Sequence, residues 1–277
     1  MQTNANELYE FIRPLGIDAN QMDQTIPKAV EAISSGQVHV LGFSGKKASG
    51  KDTFAGLFSN RLTELGKPNQ DVPISMGIRA EATLIFAELF KWKRNNGSQA
   101  DFIQNTGALT GLKPEAIARV VDIMEPLVSS GKHVMIDGWS RANEVTETLQ
   151  FLGNEAYLDI DPLHWVRHSL WIMAVNASNG VSSLNSSLRF VHDADGIKLI
   201  GGYLIRLEVN PEKQAERLLS RDNVVVPPET LNHVSETALD AYTGFDGIYE
   251  NNGDLIQPAF KQMWTDWAKA NGVYSRG

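Results

Sequence analysis

The chain has 277 residues, 42% of them hydrophobic, and a formal net charge of −8 from 25 Lys and Arg against 33 Asp and Glu. That length allows one or two domains with a full hydrophobic core. The acidic balance argues against nucleic acid as a partner, because sequence-independent binding depends on Lys and Arg at the phosphates, although it leaves room for one basic groove. The absence of Cys excludes disulfides, thiolate zinc sites and cysteine nucleophiles.

The N-terminal segment lacks the basic start and apolar run of a secretory signal, and no window approaches the roughly 20 apolar residues of a membrane span. These features, with the missing Cys, predict a cytoplasmic protein without membrane association.

Residues 1–36 predict a helical extension that packs on a main domain at 37–277. Apolar residues recur at helical spacing in two stretches that each end at a glycine: Leu8, Phe11 and Ile12 before Gly16, and Ile26, Val30 and Ile33 before Gly36.

The main domain alternates strand and helix patterns, which predicts an α/β fold with a parallel sheet flanked by helices. The strand patterns are VHVLGFS from residue 38, VPISM near 72, HVMID at 133–137, YLIRLEV at 203–209 and FDGIYE at 245–250. The helical patterns cover 79–93, 114–128, 162–177 and 211–221. The polar segment NASNGVSSLNSS at 176–187 predicts a mobile loop.

A glycine-rich stretch follows the first strand pattern. Residues 45–51, GKKASGK, match the first seven positions of the P-loop pattern G-x-x-x-x-G-K-S/T, and a helical pattern follows them. Such a loop turns backbone N–H groups toward a polyphosphate, glycine permits the close approach, and the helix adds its positive end. The ATP-binding candidates are Gly45, Lys47, Ser49, Gly50, Lys51, Asp52 and Thr53.

One position departs from this pattern, because Asp52 stands where Ser or Thr normally binds magnesium. Asp52 as a direct or water-mediated ligand and the Thr53 hydroxyl are both candidates for Mg²⁺, and the sequence leaves the choice open.

The variant G-x-x-x-S-G-K-D-T resembles the loop of the deoxynucleoside monophosphate kinases of tailed bacteriophages, relatives of adenylate and dephospho-coenzyme A kinases. Three more blocks resemble that family in the same order, at 148–166, 188–209 and 233–255, so the likeness covers roughly two-thirds of the chain. The resemblance implies an adenylate-kinase-like P-loop fold, Mg·ATP as donor and a deoxynucleoside 5′-monophosphate (dNMP) as acceptor. It also allows a homodimer, and a phage-encoded chain would work in the host cytoplasm.

Arginines are further candidates, because phosphoryl transfer needs positioning and positive charge more than covalent chemistry. Arg217 and Arg221 lie at i and i+4, on one helical face. Either they clamp the transferring phosphates, as the resemblance implies, or they belong to a solvated helix paired with Glu212 or Glu216.

Arg189 matches the arginine of the family's D-x-R-F block, which implies a role in binding the acceptor phosphate. This chain departs from the block at two positions: Ser187 replaces the acidic residue, and Asp193 replaces the Glu. A second acidic candidate is Asp137 in VMIDGWSR, a segment that resembles a signature of adenylate kinases with a carboxylate near the metal and an arginine, here Arg141, near substrate phosphate. Asp137 either supplies the magnesium-side carboxylate or caps a helix.

Four further residues are candidates for the acceptor site, beside Arg141 and Arg189. Arg79 and Glu81 match loosely the region that opens this site in the family, and Gln150 belongs to its Leu-Gln stretch. Trp165 is a candidate for stacking the acceptor base, although large aromatic residues are more often core.

The predicted function is ATP-dependent phosphorylation of dNMPs to diphosphates. The chemistry needs no general base, because the acceptor phosphate, with a second pKa of about 6, is largely ionised at neutral pH. Two alternatives remain open: a P-loop kinase for modified bases in phage DNA, and a nucleotide-binding switch that has no acceptor.

Overall fold

The structure is a computed structural model that describes residues 4–130, 143–157, 160–222, 234–253 and 256–273, without the side chains of residues 143, 146, 221, 222 and 235. The chain divides into two compact units. The sheet unit holds residues 1–74 and 166–277, and the helical unit holds residues 75–165. In the described ranges, no helix combines the length and the apolar character needed to cross a membrane.

The helices and strands follow one another along the chain. They are α1 (Ala5–Ile12), α2 (Ala19–Ser34), β1 (Val40–Ser44), α3 (Lys51–Glu64), β2 (Asn69–Asp71), α4 (Ser75–Asn95), α5 (Gln99–Thr110), α6 (Pro114–Ser129), α7 (Asn143–Asn154), α8 (His164–Ser178), β3 (Ser182–Asn185), α9 (Val191–Leu199), β4 (Tyr203–Glu208), α10 (Pro211–Asp222), α11 (Val234–Thr237), β5 (Gly247–Glu250) and α12 (Gln257–Ala270). The predicted helices at 79–93, 114–128, 162–177 and 211–221 are confirmed as α4, α6, α8 and α10.

The sheet of the described residues has five strands, all parallel, in the order β2-β3-β1-β4-β5. Its central strand β1 pairs with β3, where Val40 lies opposite Ser183, and with β4, where Ser44 lies opposite Arg206. The predicted parallel sheet flanked by helices is therefore confirmed, and this architecture is compatible with a P-loop-like fold.

Hydrophobic clusters cover both faces of the sheet because the side chains of β1 alternate in direction. Val40 joins a cluster with residues of α1, α2, α8 and α9, whereas Leu41 and Phe43 join one with residues of α3 and α12. Phe58 of α3 packs edge-on against Trp267 of α12, with ring centroids 4.7 Å apart. These contacts fix α3, and hence the loop that precedes it, against the sheet.

The N-terminal helices contribute to the first of these clusters. Leu8, Ile12, Met22 and Ile26 are each at most 1% exposed there. The predicted helices are thus present and packed in the sheet unit, while the domain boundary between residues 36 and 37 stays a prediction.

The prediction of a mobile loop at 176–187 is wrong, because Ser182–Asn185 form the buried strand β3 beside β1. The two serine hydroxyls of β3 have hydrogen-bond partners inside the protein. Ser182 Oγ accepts the His39 N–H at 3.0 Å, and Ser183 Oγ accepts from the Asn176 side chain at 3.1 Å. A buried strand that contains polar residues bonded in this way lacks the apolar pattern by which sequence analysis finds strands.

The strand predicted near residue 72 is also misplaced. The strand β2 is Asn69–Asp71, and α4 already begins at Ser75. Because β2 is an edge strand, its side chains are polar and partly exposed, and the apolar pattern marks the buried Val72 that follows. The predicted strand at 133–137 lies outside the described residues.

The helical unit contains α4–α7, which pack against one another. Its buried residues include Ile85 and Leu89 of α4, Val120 and Met124 of α6, and Leu152 of α7. These residues recur at helical spacing, as an amphipathic helix requires.

Candidate functional site

The strand order marks one place on the sheet edge where a ligand is expected. The chain leaves β1 toward β2 on one side of the sheet and leaves the adjacent β4 toward β5 on the other side. In open α/β sheets, ligands bind outside the carboxyl ends of strands at such a switch point. The loop of residues 45–50, called the glycine loop below, follows β1 at this point.

Glycine is required at both ends of the glycine loop. Gly45 has a φ of +151°, and a Cβ there would lie 2.6 Å from the main-chain oxygen of Leu207. Gly50 has a φ of +94°, and a Cβ there would lie 2.7 Å from the side-chain nitrogen of Asn251. Any larger residue at either position would push the loop away from β4 or from Asn251.

Three consecutive carbonyls of the glycine loop are held by side chains from distant parts of the sequence. Gln214 of α10 donates to the Lys47 carbonyl at 2.8 Å, and Arg217 donates to the Ala48 carbonyl at 3.3 Å. The buried Asn251 donates to the Ser49 carbonyl at 2.8 Å.

These contacts also set the direction of N–H groups in the glycine loop. Because a trans peptide is planar, a carbonyl held in one direction turns the N–H group of the following residue in the opposite direction. The Ala48 and Gly50 N–H groups therefore point away from these side chains.

The helix α3 begins directly after the glycine loop, with Gly50 as its N-cap and Lys51 as its first residue. Its first turn brings the positive end of the helix dipole to the loop, where Asp52 and Thr53 are exposed. The structure thus brings together Gly45, Lys47, Ser49, Gly50, Lys51, Asp52 and Thr53, the residues that the sequence marks for ATP.

The residues present fit a polyphosphate. The Ser49 hydroxyl is fully buried in the glycine loop and has no hydrogen-bond partner in the described residues. An unpartnered hydroxyl in the loop is compatible with an anionic ligand there, because a hydroxyl can donate to a phosphate oxygen. The N-terminus of a helix after a glycine-rich loop is a common anion site for the same electrostatic reason.

Two carboxylates, those of Asp52 in α3 and Asp71 in β2, interact electrostatically. Asp71, the last residue of β2, has a pKa raised by partial desolvation and by the charge of Asp52. Mg²⁺ that arrives with a nucleotide typically takes one or two carboxylates and completes its shell with phosphates and water. Asp52 and Asp71 are carboxylates of the kind such an ion takes, and the described residues contain no cluster of three or more His, Cys, Asp or Glu side chains for a resident metal.

Arg189 lies just before α9, where Asp193 fixes its backbone. The Asp193 carboxylate accepts the N–H groups of Arg189 and Phe190, both at 2.9 Å. The Arg189 guanidinium donates to Glu236 Oε1 at 2.8 Å, and the other oxygen of Glu236 accepts the N–H of Lys47 at 2.6 Å. Glu236 therefore bridges Arg189, the arginine predicted to bind the acceptor phosphate, and the glycine loop.

Ser187, which stands where the phage kinases that the sequence resembles have an acidic residue, lies just after β3. Its hydroxyl accepts the N–H of Ile74 at 2.8 Å and donates to the Asn185 side chain at 3.0 Å. These bonds give Ser187 a local role in closing the end of β3.

Arg217 and Arg221 both belong to α10, but only the side chain of Arg217 is described. Besides the Ala48 carbonyl, Arg217 donates to the Gly253 carbonyl at 3.0 Å. Arg217 thus supports the glycine loop through its carbonyls, and a role in clamping phosphates stays a prediction for both arginines.

Glu81 belongs to a partly buried polar cluster of the helical unit. The Tyr157 hydroxyl lies 2.7 Å from both carboxyl oxygens of Glu81 and 2.9 Å from the Thr110 carbonyl. Burial raises the pKa of Glu81 to about 7, although the hydrogen bond from Tyr157 opposes the shift. When Glu81 is protonated, it can donate to the Tyr157 oxygen while Tyr157 donates to the Thr110 carbonyl, so that both hydroxyl protons have an acceptor.

The other acceptor-site candidates also lie in the helical unit. Arg79 is exposed on α4 and Gln150 is exposed on α7. Trp165 is 7% exposed, and its indole donates to the Leu152 carbonyl at 3.0 Å, which favours a structural role. Asp137 and Arg141 lie outside the described residues, so their predicted roles stay predictions.

Sequence reasoning did not assign Gln214, Glu236, Asn251 or Asp71 to the site. Asn251 follows β5 and begins the stretch Asn251-Asn252-Gly253. A polar residue directly after a predicted strand is the signal by which sequence analysis could have found it. Asp71 could have been found the same way had β2 been placed correctly.

In comparisons with known proteins, no protein-family model and no curated protein sequence matches this chain. Its function is therefore inferred from its residues and their geometry.

Proposed function

We propose that this protein is a P-loop kinase that transfers the γ-phosphate of ATP to a deoxynucleoside monophosphate. The observation that carries this proposal is the glycine loop at the switch point between β1 and β4, with three carbonyls held outward and α3 beginning at Lys51. The order of sequence blocks that resemble phage dNMP kinases supports the choice of acceptor.

In this proposal, the glycine loop and the first turn of α3 bind the β- and γ-phosphates of ATP through backbone N–H groups, and Lys51 neutralises charge on the transferred group. Asp52, Thr53 and Asp71 hold the magnesium ion that accompanies ATP, which offsets charge on the phosphate oxygens.

The acceptor phosphate binds in line with the γ-phosphate. An acceptor phosphate oxygen forms a bond to the γ-phosphorus while the bond from that phosphorus to the bridging oxygen of ADP breaks. ADP leaves with that electron pair, and no protein base is needed because the acceptor oxygen is already ionised. Arg189 binds this acceptor phosphate in the proposal, close to the Lys47 end of the loop.

The experiment is transfer of labelled γ-phosphate from Mg·ATP to a panel of dNMPs, ribonucleoside monophosphates and DNA with modified bases. The proposal predicts a labelled deoxynucleoside diphosphate with at least one dNMP. Label on DNA alone would identify a base kinase, and tight ATP binding without any labelled acceptor would identify a nucleotide-binding switch; either result overturns the proposal.

A further inference from the structure

Glu236 occupies a position between two groups that attract anions. Its carboxylate accepts the N–H of Lys47 in the glycine loop at 2.6 Å and the Arg189 guanidinium at 2.8 Å, one bond to each oxygen. The Glu236 side chain is 9% exposed, whereas the Arg189 side chain is 45% exposed. A negative charge is therefore held, largely out of water, at the edge of the glycine loop.

A loop N–H and a guanidinium are the same two kinds of donor that bind phosphate oxygens in proteins. The two oxygens of a carboxylate and two oxygens of a phosphate group make equivalent hydrogen bonds to such donors. Glu236 thus stands where an anionic ligand of this pair would stand, and the two negative charges would repel each other at such close range.

We propose that the Lys47 N–H and the Arg189 guanidinium form a subsite for a phosphate monoester group, and that Glu236 is a built-in anion that competes with the ligand for it. That this group belongs to the acceptor nucleotide rests on the proposed function. Glu236 then limits phosphate binding at the subsite and suppresses capture of free phosphate by Arg189.

The surrounding contacts distinguish this role from simple positioning of Arg189. The backbone at Arg189 is already fixed by Asp193, which accepts its N–H at 2.9 Å. An ion pair that only oriented Arg189 would not need the second bond to the Lys47 N–H. The contact with the loop is what makes Glu236 a competitor.

Glu236 can leave the subsite without releasing its segment. Asp240, four residues later, binds Lys46 at 3.0 Å and the buried Arg206 at 2.6 Å, and Arg206 also donates to the Leu239 carbonyl. These bonds hold residues 239 and 240 in place within the sheet unit, so rotation of the Glu236 side chain would take its carboxylate away from both donors without moving the segment.

The experiment measures binding of inorganic phosphate by calorimetry at low ionic strength to the full chain and to Glu236→Gln. The glutamine oxygen still accepts one bond, but the charge is gone. We expect Glu236→Gln to bind phosphate about threefold to tenfold more tightly than the unaltered chain. Adding Arg189→Gln to Glu236→Gln should abolish the gain.

Glu208→Gln is the matched control, because it removes an exposed carboxylate at the end of β4 that pairs with Arg206 rather than with the loop. It should bind phosphate within about twofold of the unaltered chain. Unchanged or weaker phosphate binding by a folded Glu236→Gln variant would overturn the proposal, as would an equal gain in Glu208→Gln.

The phosphate measurement does not require phosphoryl transfer, so it separates this inference from the proposed function. A gain in Glu236→Gln without transfer to any nucleotide would support the subsite and overturn the kinase proposal. If the unaltered chain transfers phosphate to a nucleotide but Glu236→Gln binds inorganic phosphate no more tightly, the kinase proposal is supported and the subsite proposal is overturned. If Glu236→Gln unfolds at a lower temperature than the unaltered chain, Glu236→Asp provides a second variant. Its shorter side chain should reach the two donors less well, so this variant should also bind phosphate more tightly.

Discussion

Asn251 and Ser49 lie 202 residues apart in sequence and are joined by a buried hydrogen bond of 2.8 Å from the Asn251 side-chain nitrogen to the Ser49 carbonyl. This bond ties the turn after the edge strand β5 to the glycine loop after the central strand β1. It fixes the direction of the peptide between Ser49 and Gly50, on which the proposed binding of phosphate by the loop depends.

Asn251→Ala should therefore weaken both the fold and nucleotide binding. It leaves the buried Ser49 carbonyl without its partner, at a cost of about 1–3 kcal/mol in the free energy of unfolding. Denaturant unfolding measures that cost, and calorimetry with Mg·ATP measures the affinity, which we expect to fall about tenfold. The control Asn60→Ala, on the exposed side of α3, should change stability by less than about 0.5 kcal/mol. Equal effects of the two variants would contradict this role of Asn251.

Gly45→Ala should disrupt the glycine loop, because its Cβ would lie 2.6 Å from the main-chain oxygen of Leu207 at a positive φ. We expect a loss of about 1–3 kcal/mol in the free energy of unfolding and a loss of ATP binding.

Gly56→Ala is the matched control for Gly45→Ala. Gly56 lies inside α3, and a Cβ there meets nothing within 4 Å. Alanine should stabilise the helix by about 0.5–1 kcal/mol and leave ATP affinity unchanged. Thermal melts and calorimetry of the two variants check both statements, and normal ATP binding by Gly45→Ala would show that the loop tolerates a side chain.

The stability of the protein should fall as the pH rises from about 4.5 to about 7 because of Glu81. Burial raises the pKa of Glu81 from 4.5 to about 7, so the folded state binds a proton that the unfolded state has already lost in this range. This contribution is fully present below pH 4.5 and is lost as the pH passes the folded value of about 7.

Glu81→Gln removes this titration while keeping a group that can bond Tyr157. Its free energy of unfolding should exceed that of the unaltered chain at pH 8, by an amount on the order of 1–3 kcal/mol, and should change less between pH 5 and pH 8. Denaturant unfolding at both pH values measures the difference. Parallel pH profiles for the two proteins would show that Glu81 does not titrate in this range.

The sequence predicted the central part of the sheet unit well for a physical reason. The β1 pattern is apolar because both of its faces are covered, and the glycine spacing of residues 45–50 reflects backbone conformations that the loop requires. These properties depend on residues that are neighbours in the sequence, so they can be recognised from the local sequence pattern.

The parts that the sequence did not predict depend on contacts between distant residues. β3 is buried beside β1 although its pattern SSLN is polar, because His39 and Asn176 satisfy its hydroxyl groups. The contacts of Glu236 with Lys47 and Arg189 arise only when three separate segments meet at the sheet edge. No spacing along the chain encodes such contacts.

The most direct measurement is the rate of γ-phosphate transfer from Mg·ATP to dNMPs by the unaltered chain and by Lys51→Ala. Lys91→Ala is the control, because Lys91 pairs with Glu88 in the helical unit, away in sequence from the glycine loop. The account predicts a labelled diphosphate with the unaltered chain, a rate lower by at least about 100-fold in folded Lys51→Ala, and a rate within about twofold of normal in Lys91→Ala. Full transfer by folded Lys51→Ala, or no labelled dNMP with the unaltered chain at saturating ATP, would contradict it.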